Sequence, residues 1–268
     1  MIEGACDCHV HVYGLGFALA PTATFQPPPA PASAYREVQR KLGLDRVVIV
    51  QPTGYGFDNS CTLAAIAELG EGARGVAVVA VDVPDAELDR LHAGGMRGVR
   101  FMMLPGGVLP WSALEPLAKR LAPRAWHVDL QLDGRDFRQH EQRLLDLPCR
   151  LVIDHIGKFL EPVETGSESF RSLCRVLDGG NVWVKLSAPY ESSRSGPPRY
   201  EDVEPIAREL ALRYPKRCLW GSNWPHPNVK PVPDEHALLD WSLALLDGGA
   251  TWAKAMLADN PAHIYGFD

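Results

Sequence analysis

The chain has 268 residues, 46% hydrophobic and 22% charged, with a formal net charge of −6. That apolar content supports a large core and excludes a disordered chain. The acidic balance argues against nucleic acid as a partner, and no apolar run approaches the ~18 residues of a membrane span.

The first predicted strand, Ala5–Val12, begins almost at the N-terminus, which leaves no room for a signal peptide. Its residues Cys6-Asp7-Cys8-His9-Val10-His11-Val12 set His9 and His11 on one face. Cys6 and Cys8 are too close for the usual zinc spacing, and no second Cys pair accompanies them. With Cys61, Cys149, Cys174 and Cys218 they read mostly as reduced core residues of a cytoplasmic protein. The Pro-rich run Pro21–Pro31 reads as an extended loop over a barrel face, or as a lid over a site. Further apolar segments follow at Arg46–Gln51, Gly75–Val81, Gly98–Met103, Trp126–Leu132, Arg150–His155, Asn181–Ser187 and Cys218–Asn223. Amphipathic stretches lie at Ser33–Leu42, Thr62–Leu69, Asp85–Ala93, Trp111–Leu121, Phe137–Leu147, Ser167–Leu177, Val203–Arg213 and Glu235–Leu246. Eight strands alternating with helices, without repeat or linker, predict an α/β fold of one domain over 1–268, a (β/α)8 TIM barrel.

Barrel strands are buried on both faces and should be almost wholly apolar. Here Arg100 interrupts the fourth strand, and His127, Asp129 and Gln131 share one face of the fifth. Asp154 and His155 end the sixth, Lys185 and Ser187 share a face of the seventh, and Asn223 ends the eighth. So many buried polar groups toward strand C-termini predict an active-site mouth there. His127 and Asp129, deep in their strand, are expected to be a structural hydrogen-bond pair. His155, at a strand end before Gly157, reads as a reactive group. His9 and His11 read equally as a metal pair or as hydrogen-bonding groups. His226 reads as a substrate contact or a loop-packing residue, whereas His92, His140, His236 and His263 fall in helix patterns.

The segments Asp7–Val12 (DCHVHV), Ile153–Lys158 (IDHIGK), Val182–Ser187 (VWVKLS) and Trp220–His226 (WGSNWPH) together resemble the amidohydrolase superfamily. The branch they resemble contains lactone hydrolases and lactone isomerases. Leu104–Val108 (LPGGV), Asp154–Phe159 (DHIGKF), Tyr190–Arg194 (YESSR) and Asn223 look closer to the isomerases, while the complete His-x-His at His9 keeps hydrolysis open. The resemblance implies independence from a divalent metal, and hence no cofactor. The sequence agrees, since Gln131 and Asn223 stand where a metal site would want His and Asp.

The resemblance implies acyl transfer on a sugar-dicarboxylate (aldaric acid) lactone, isomerisation from 1,5- to 1,4-lactone before hydrolysis. An amide at 223 cannot act as a general base, whereas a hydroxyl held in the same substrate needs little activation. His155 is expected to move the proton, Asn223 to position a hydroxyl or carbonyl, and His9 and His11 to polarise the carbonyl oxygen. Arg100 and Arg194 are candidates for the substrate carboxylate. Tyr190, Lys158, Gln131 and His226 are candidates for further substrate contacts. A metal-dependent hydrolase or decarboxylase would instead use His9, His11 and His155 as ligands. A sugar-acid-binding barrel without catalysis is the remaining class.

Overall fold

The computed structural model describes residues 2–227 and 229–267. Among these lie eight strands: β1 (Cys6–Val10), β2 (Arg46–Val50), β3 (Ala73–Ala77), β4 (Met96–Met102), β5 (His127–Gln131), β6 (Arg150–Ile153), β7 (Val182–Ser187) and β8 (Cys218–Gly221). They pair in parallel in sequence order, β1 to β8, which is the order of a (β/α)8 barrel. The crossovers carry α1 (Ala32–Leu42), α2 (Ser60–Leu69), α3 (Asp85–Ala93), α4 (Leu114–Leu121), α5 (Phe137–Leu145), α6 (Glu168–Asp178) and α7 (Glu204–Arg213); α8 (Glu235–Ala244) follows β8. The chain then adds α9 (Ala250–Lys254), a π-helical turn and α10 (Asn260–Tyr265), elements the hydrophobic pattern does not announce.

The strand residues explain this ring. β2 reads Arg-Val-Val-Ile-Val, and its last four residues are fully buried, as a strand covered on both faces requires. The amphipathic crossovers then cover the outer face; α6, capped by Ser167 accepting from the Phe170 N–H, buries Phe170, Leu173, Cys174, Val176 and Leu177. A second apolar group joins Cys6, Cys8, Val48, Val76, Val152, Trp183 and Leu219 to Ile264, Tyr265 and Phe267. Residues from six strands around a ring meet only at its centre, so this group is the floor of the barrel, plugged by the C-terminal segment.

The ring closes between β1 and β8 through few bonds. The Asn223 N–H donates to the His9 carbonyl at 2.9 Å, and the His11 N–H to the Trp224 carbonyl at 2.8 Å. Gly221 makes the seam possible, since a Cβ there would lie 2.6 Å from the His9 Cβ. The buried Asp7 carboxylate bridges the same seam, accepting from the backbone N–H of His9 and of Ser222 and from the Tyr35 hydroxyl. The register of β1 against β2 shifts between Asp7 and Val10. That irregularity lets Cys8 pack into the floor while His9 and His11 turn toward the polar interior.

Candidate active site

Above the apolar floor sits a layer of charge. Lys185 Nζ, fully buried, lies 2.5 Å from Asp129 Oδ2, 3.0 Å from Asp154 Oδ1 and 3.0 Å from His9 Nδ1. Burial alone would lower the Lys185 pKa, but Asp129 and Asp154 together hold it above the usual lysine value. Burial would raise Asp154; Lys185, His9 and His155 nonetheless keep it well below the usual carboxylate range. Buried ion clusters seldom stabilise a fold over apolar packing, so this layer points to function. His127 and Asp129, expected to bond each other, do not. Asp129 is drawn to the ammonium, and His127 sits edge-on against Tyr265 at 5.2 Å between ring centroids.

The charge layer carries a pocket of about 130 Å³ at the C-terminal ends of the strands. His11, Arg100, Gln131, His155 and Asn223 line it, together with Tyr13, Phe25, Pro52, Thr53, Met102, Glu191 and Pro227. Roomier hollows elsewhere, such as one of about 590 Å³ between Glu3, Arg46, Arg74 and Phe267, lack this convergence of buried polar groups. Phe25 comes from the Pro-rich run, which folds back where Tyr13 and Ala30 exchange backbone hydrogen bonds. That run therefore forms part of the pocket wall.

Backbone strain gathers at the same rim. His155, Ile156 and Lys158 after β6, Ala188 after β7, and Asn223 and His226 after β8 all have positive φ. Left-handed backbone is costly for residues with a Cβ, most of all for β-branched Ile156, and it persists where function or packing demands it.

The expected site residues separate into four groups. His155 is central: Nδ1 is 2.9 Å from Ser187 Oγ, and burial lowers its pKa to about 4, so the ring is neutral at neutral pH. Asn223 is fixed by acceptors. Its Nδ2 donates to Tyr190 Oη at 2.9 Å and to Glu191 Oε1 at 3.0 Å. An ionised carboxylate only accepts, so the amide must turn its NH2 that way, leaving Oδ1 for the pocket. Arg100 spans the wall, donating to the Gln51 carbonyl and to Gln131 Oε1, while its buried Nε has no hydrogen-bond partner.

Tyr190, Lys158 and His226 stand behind this wall. The Tyr190 hydroxyl meets His226 Nδ1 at 2.7 Å, and His226 Nε2 approaches Glu235 at 3.4 Å. His226 is therefore a packing residue of the loop. Lys158 is ion-paired with Glu191. Arg194 is not brought to the pocket. It is 69% exposed and bonds Glu161 on the surface, because the Ser193–Ser195 turn is tied to Asp202 and directs it outward.

Of the two histidines of the first strand, His11 lines the pocket and His9 lies beneath it, and both are hydrogen-bonded rather than free to polarise a carbonyl. His11 Nδ1 lies 2.8 Å from the Val50 carbonyl and Nε2 lies 3.2 Å from His9 Nε2. Burial and Arg100 lower the His11 pKa to about 3, so it is neutral. Both nitrogens are occupied, and His11 has no free N–H for a substrate carbonyl. Glu191 is the residue the sequence reading missed. An acid in a post-strand loop defaults to surface charge; its only signal was its place just beyond Tyr190, at a barrel-strand end. Burial alone would raise it, but His155 and Lys158 hold it at about 2, hence ionised.

His9, Asp154 and His155 have ligand atoms within 4.8 Å of one another. The His9 Nδ1 lone pair is directed at Lys185, however, and the ammonium also contacts Asp154. The donor set therefore does not fit a divalent cation while Lys185 is charged.

Comparison with known proteins places this geometry among relatives. A family profile described as Amidohydrolase matches residues 6–267. D-galactarolactone isomerase of Agrobacterium fabrum (strain C58 / ATCC 33970) is 36% identical over 234 residues, covering 86% of this chain and 80% of that one. The 2-pyrone-4,6-dicarboxylate hydrolase of Comamonas testosteroni is 36% identical over 235 residues, covering 84% and 77%. An apo crystal structure from Agrobacterium tumefaciens superposes with a TM-score of 0.93 at 36% identity, covering 99% of this chain and 96% of that one.

Proposed function

We propose that this chain, which belongs to the amidohydrolase family, isomerises a sugar-acid lactone by moving its acyl group from one hydroxyl to another of the same molecule. The similarity to D-galactarolactone isomerase supports lactone isomerisation, and a 1,5- to 1,4-lactone conversion is the form proposed for it. The observation that carries the reading is Asn223, an amide turned by Tyr190 and Glu191 so that its Oδ1 accepts from the pocket side. It can hold a hydroxyl by its proton but cannot remove that proton.

The bonds balance without water. The attacking hydroxyl oxygen bonds the acyl carbon, the ring C–O bond breaks, and one proton passes from attacker to leaving oxygen. Neutral His155, lining the pocket with Nδ1 on Ser187, is placed to accept and return it. Arg100 faces the developing negative charge or a free carboxylate of the substrate.

Hydrolysis is the second reading, favoured by Glu191 in the wall and by the similarity to a named hydrolase. Strength of base supports the first. Glu191 sits at about 2 and His155 at about 4, both weak for drawing a proton from water. A hydroxyl held in the same molecule gains an effective molarity of ~10⁵ M or more, which offsets a weak base. The test is product analysis on one 1,5-lactone: isomeric 1,4-lactone against open diacid. All six cysteines are free and buried, and no helix is long and apolar enough to cross a membrane. The buried thiols fit a reducing, cytoplasmic setting.

A further inference from the structure

We propose that the Lys185 ammonium stands as a resident cation where His9, Asp154 and His155 would otherwise hold a metal, and that it fixes the hydrogen-bond direction of the His9–His11 pair. The argument starts at the far end. The Val50 carbonyl can only accept, so His11 Nδ1, 2.8 Å away, carries the proton. A neutral His11 then has a bare Nε2, so His9 Nε2, 3.2 Å away, must be the donor. That leaves His9 Nδ1 bare, facing Lys185 Nζ at 3.0 Å, which can only donate; Asp154 Oδ1, 3.2 Å from the same Nδ1, is itself 3.0 Å from the ammonium. The two ends of the chain demand the same direction: Lys185 to His9, His9 to His11, His11 to Val50.

The reverse direction fails between the rings. A proton on His9 Nδ1 could reach Asp154 Oδ1 at 3.2 Å, but it would take the acceptor from the ammonium and leave two bare Nε2 atoms opposed across the His9–His11 gap. A metal fails for a related reason. An imidazole nitrogen has one lone pair, and that of His9 Nδ1 is already taken. Asp154, the second candidate ligand, has its Oδ1 3.0 Å from the same ammonium. Lys185 is thus a positioning residue. It touches no pocket space, and it acts through His9 and His11 and through the charge it places beneath His155.

Two measurements on the full chain test this. In wild-type protein with ¹⁵N-labelled histidine, long-range ¹H–¹⁵N spectra at neutral pH should show both rings neutral, His9 protonated at Nε2 and His11 at Nδ1. A His9 protonated at Nδ1 would overturn the proposal, and this result does not depend on any variant folding. In zinc titrations, Lys185→Met should gain one site that perturbs the His9 resonances, with affinity raised by more than ~100-fold over wild type. Wild-type protein binding zinc through His9 equally well, or a folded Lys185→Met binding none, would contradict it.

Discussion

Arg100 and Arg194 carry the same guanidinium and differ only in where the backbone sends it. Arg100 is buried in the pocket wall with a free Nε; Arg194 is 69% exposed and bonds a surface glutamate. A charge-assisted hydrogen bond in a desolvated site is worth ~1.5–3 kcal/mol, whereas an exposed ion pair is worth ~0–1 kcal/mol. Arg100→Met should therefore lower kcat/KM for a carboxylate-bearing lactone by about 10- to 100-fold and remove the preference for the acid over its methyl ester. Arg194→Met should change kcat/KM less than about 2-fold. Kinetics on the acid and ester pair check both, and equal losses in the two variants would disprove the placement. Much of this site was legible residue by residue: His11, Arg100, Gln131, His155 and Asn223 were all expected at the mouth and all line it. What a residue's neighbours do to it was not legible. Asn223 looks like a lost base until Glu191 and Tyr190 show which way its amide turns. The His-x-His motif reads equally as a metal pair or as hydrogen-bonding groups until Lys185, 176 residues away in sequence, is seen beside it.

At the scale of elements, the seam between β1 and β8 joins fold to site, because its closing bonds involve His9, His11 and Asn223 themselves. Gly221 leaves no room for a side chain against His9, whose backbone N would lie 2.9 Å from an added Cβ. Gly221→Ala must push the strands apart and should cost ~1–3 kcal/mol of stability. It should also lower activity more than its stability loss explains, since the displaced strand carries Asn223. Urea unfolding with parallel kinetics on the folded fraction checks this; a stable variant of full activity would refute it. All eight strands were foreseen, but β3 and β4 begin two residues earlier than the apolar pattern suggests, at Ala73 and Met96. Arg74 and Arg97 lie in those first turns, and a charged residue there reads as loop. Both instead reach backbone carbonyls at the barrel's lower rim: Arg74 reaches Gly266, and Arg97 reaches His92. His263 was read in a helix pattern and lies in α10, but the bounds of the C-terminal helices were not foreseen, because they are short pieces whose apolar residues plug the barrel, which leaves no helical stripe of their own.

The whole molecule holds several neutral histidines in its interior, and this sets its response to acid. Burial, aided by Lys185 for His9 and His127 and by Arg100 for His11, lowers four of the buried rings: His9 well below its usual value, His11 and His127 to about 3, and His155 to about 4. Their folded pKa values lie below the unfolded one near ~6.5. The stability they allow is therefore present above that pH and is lost as pH falls toward the folded values, at about 1.4 kcal/mol per group per pH unit. Asp7 works in the opposite sense. Burial raises it to about 6 and likewise raises Asp129 to about 7, so acidification through those values favours the folded state, but they are two groups against four. The urea midpoint should fall by roughly half between pH 7 and pH 5, given a typical total stability of ~10 kcal/mol; a midpoint unchanged to pH 5 would show that the interior rings are already charged. The central claim, however, concerns the reaction. Its most direct test is to run the enzyme on one carboxylate-bearing 1,5-lactone in H₂¹⁸O and analyse early products by mass spectrometry and NMR. The account predicts isomeric 1,4-lactone with no ¹⁸O incorporated, because both reacting oxygens belong to the substrate. Open diacid carrying one ¹⁸O per turnover, with no 1,4-lactone preceding it, would contradict the account.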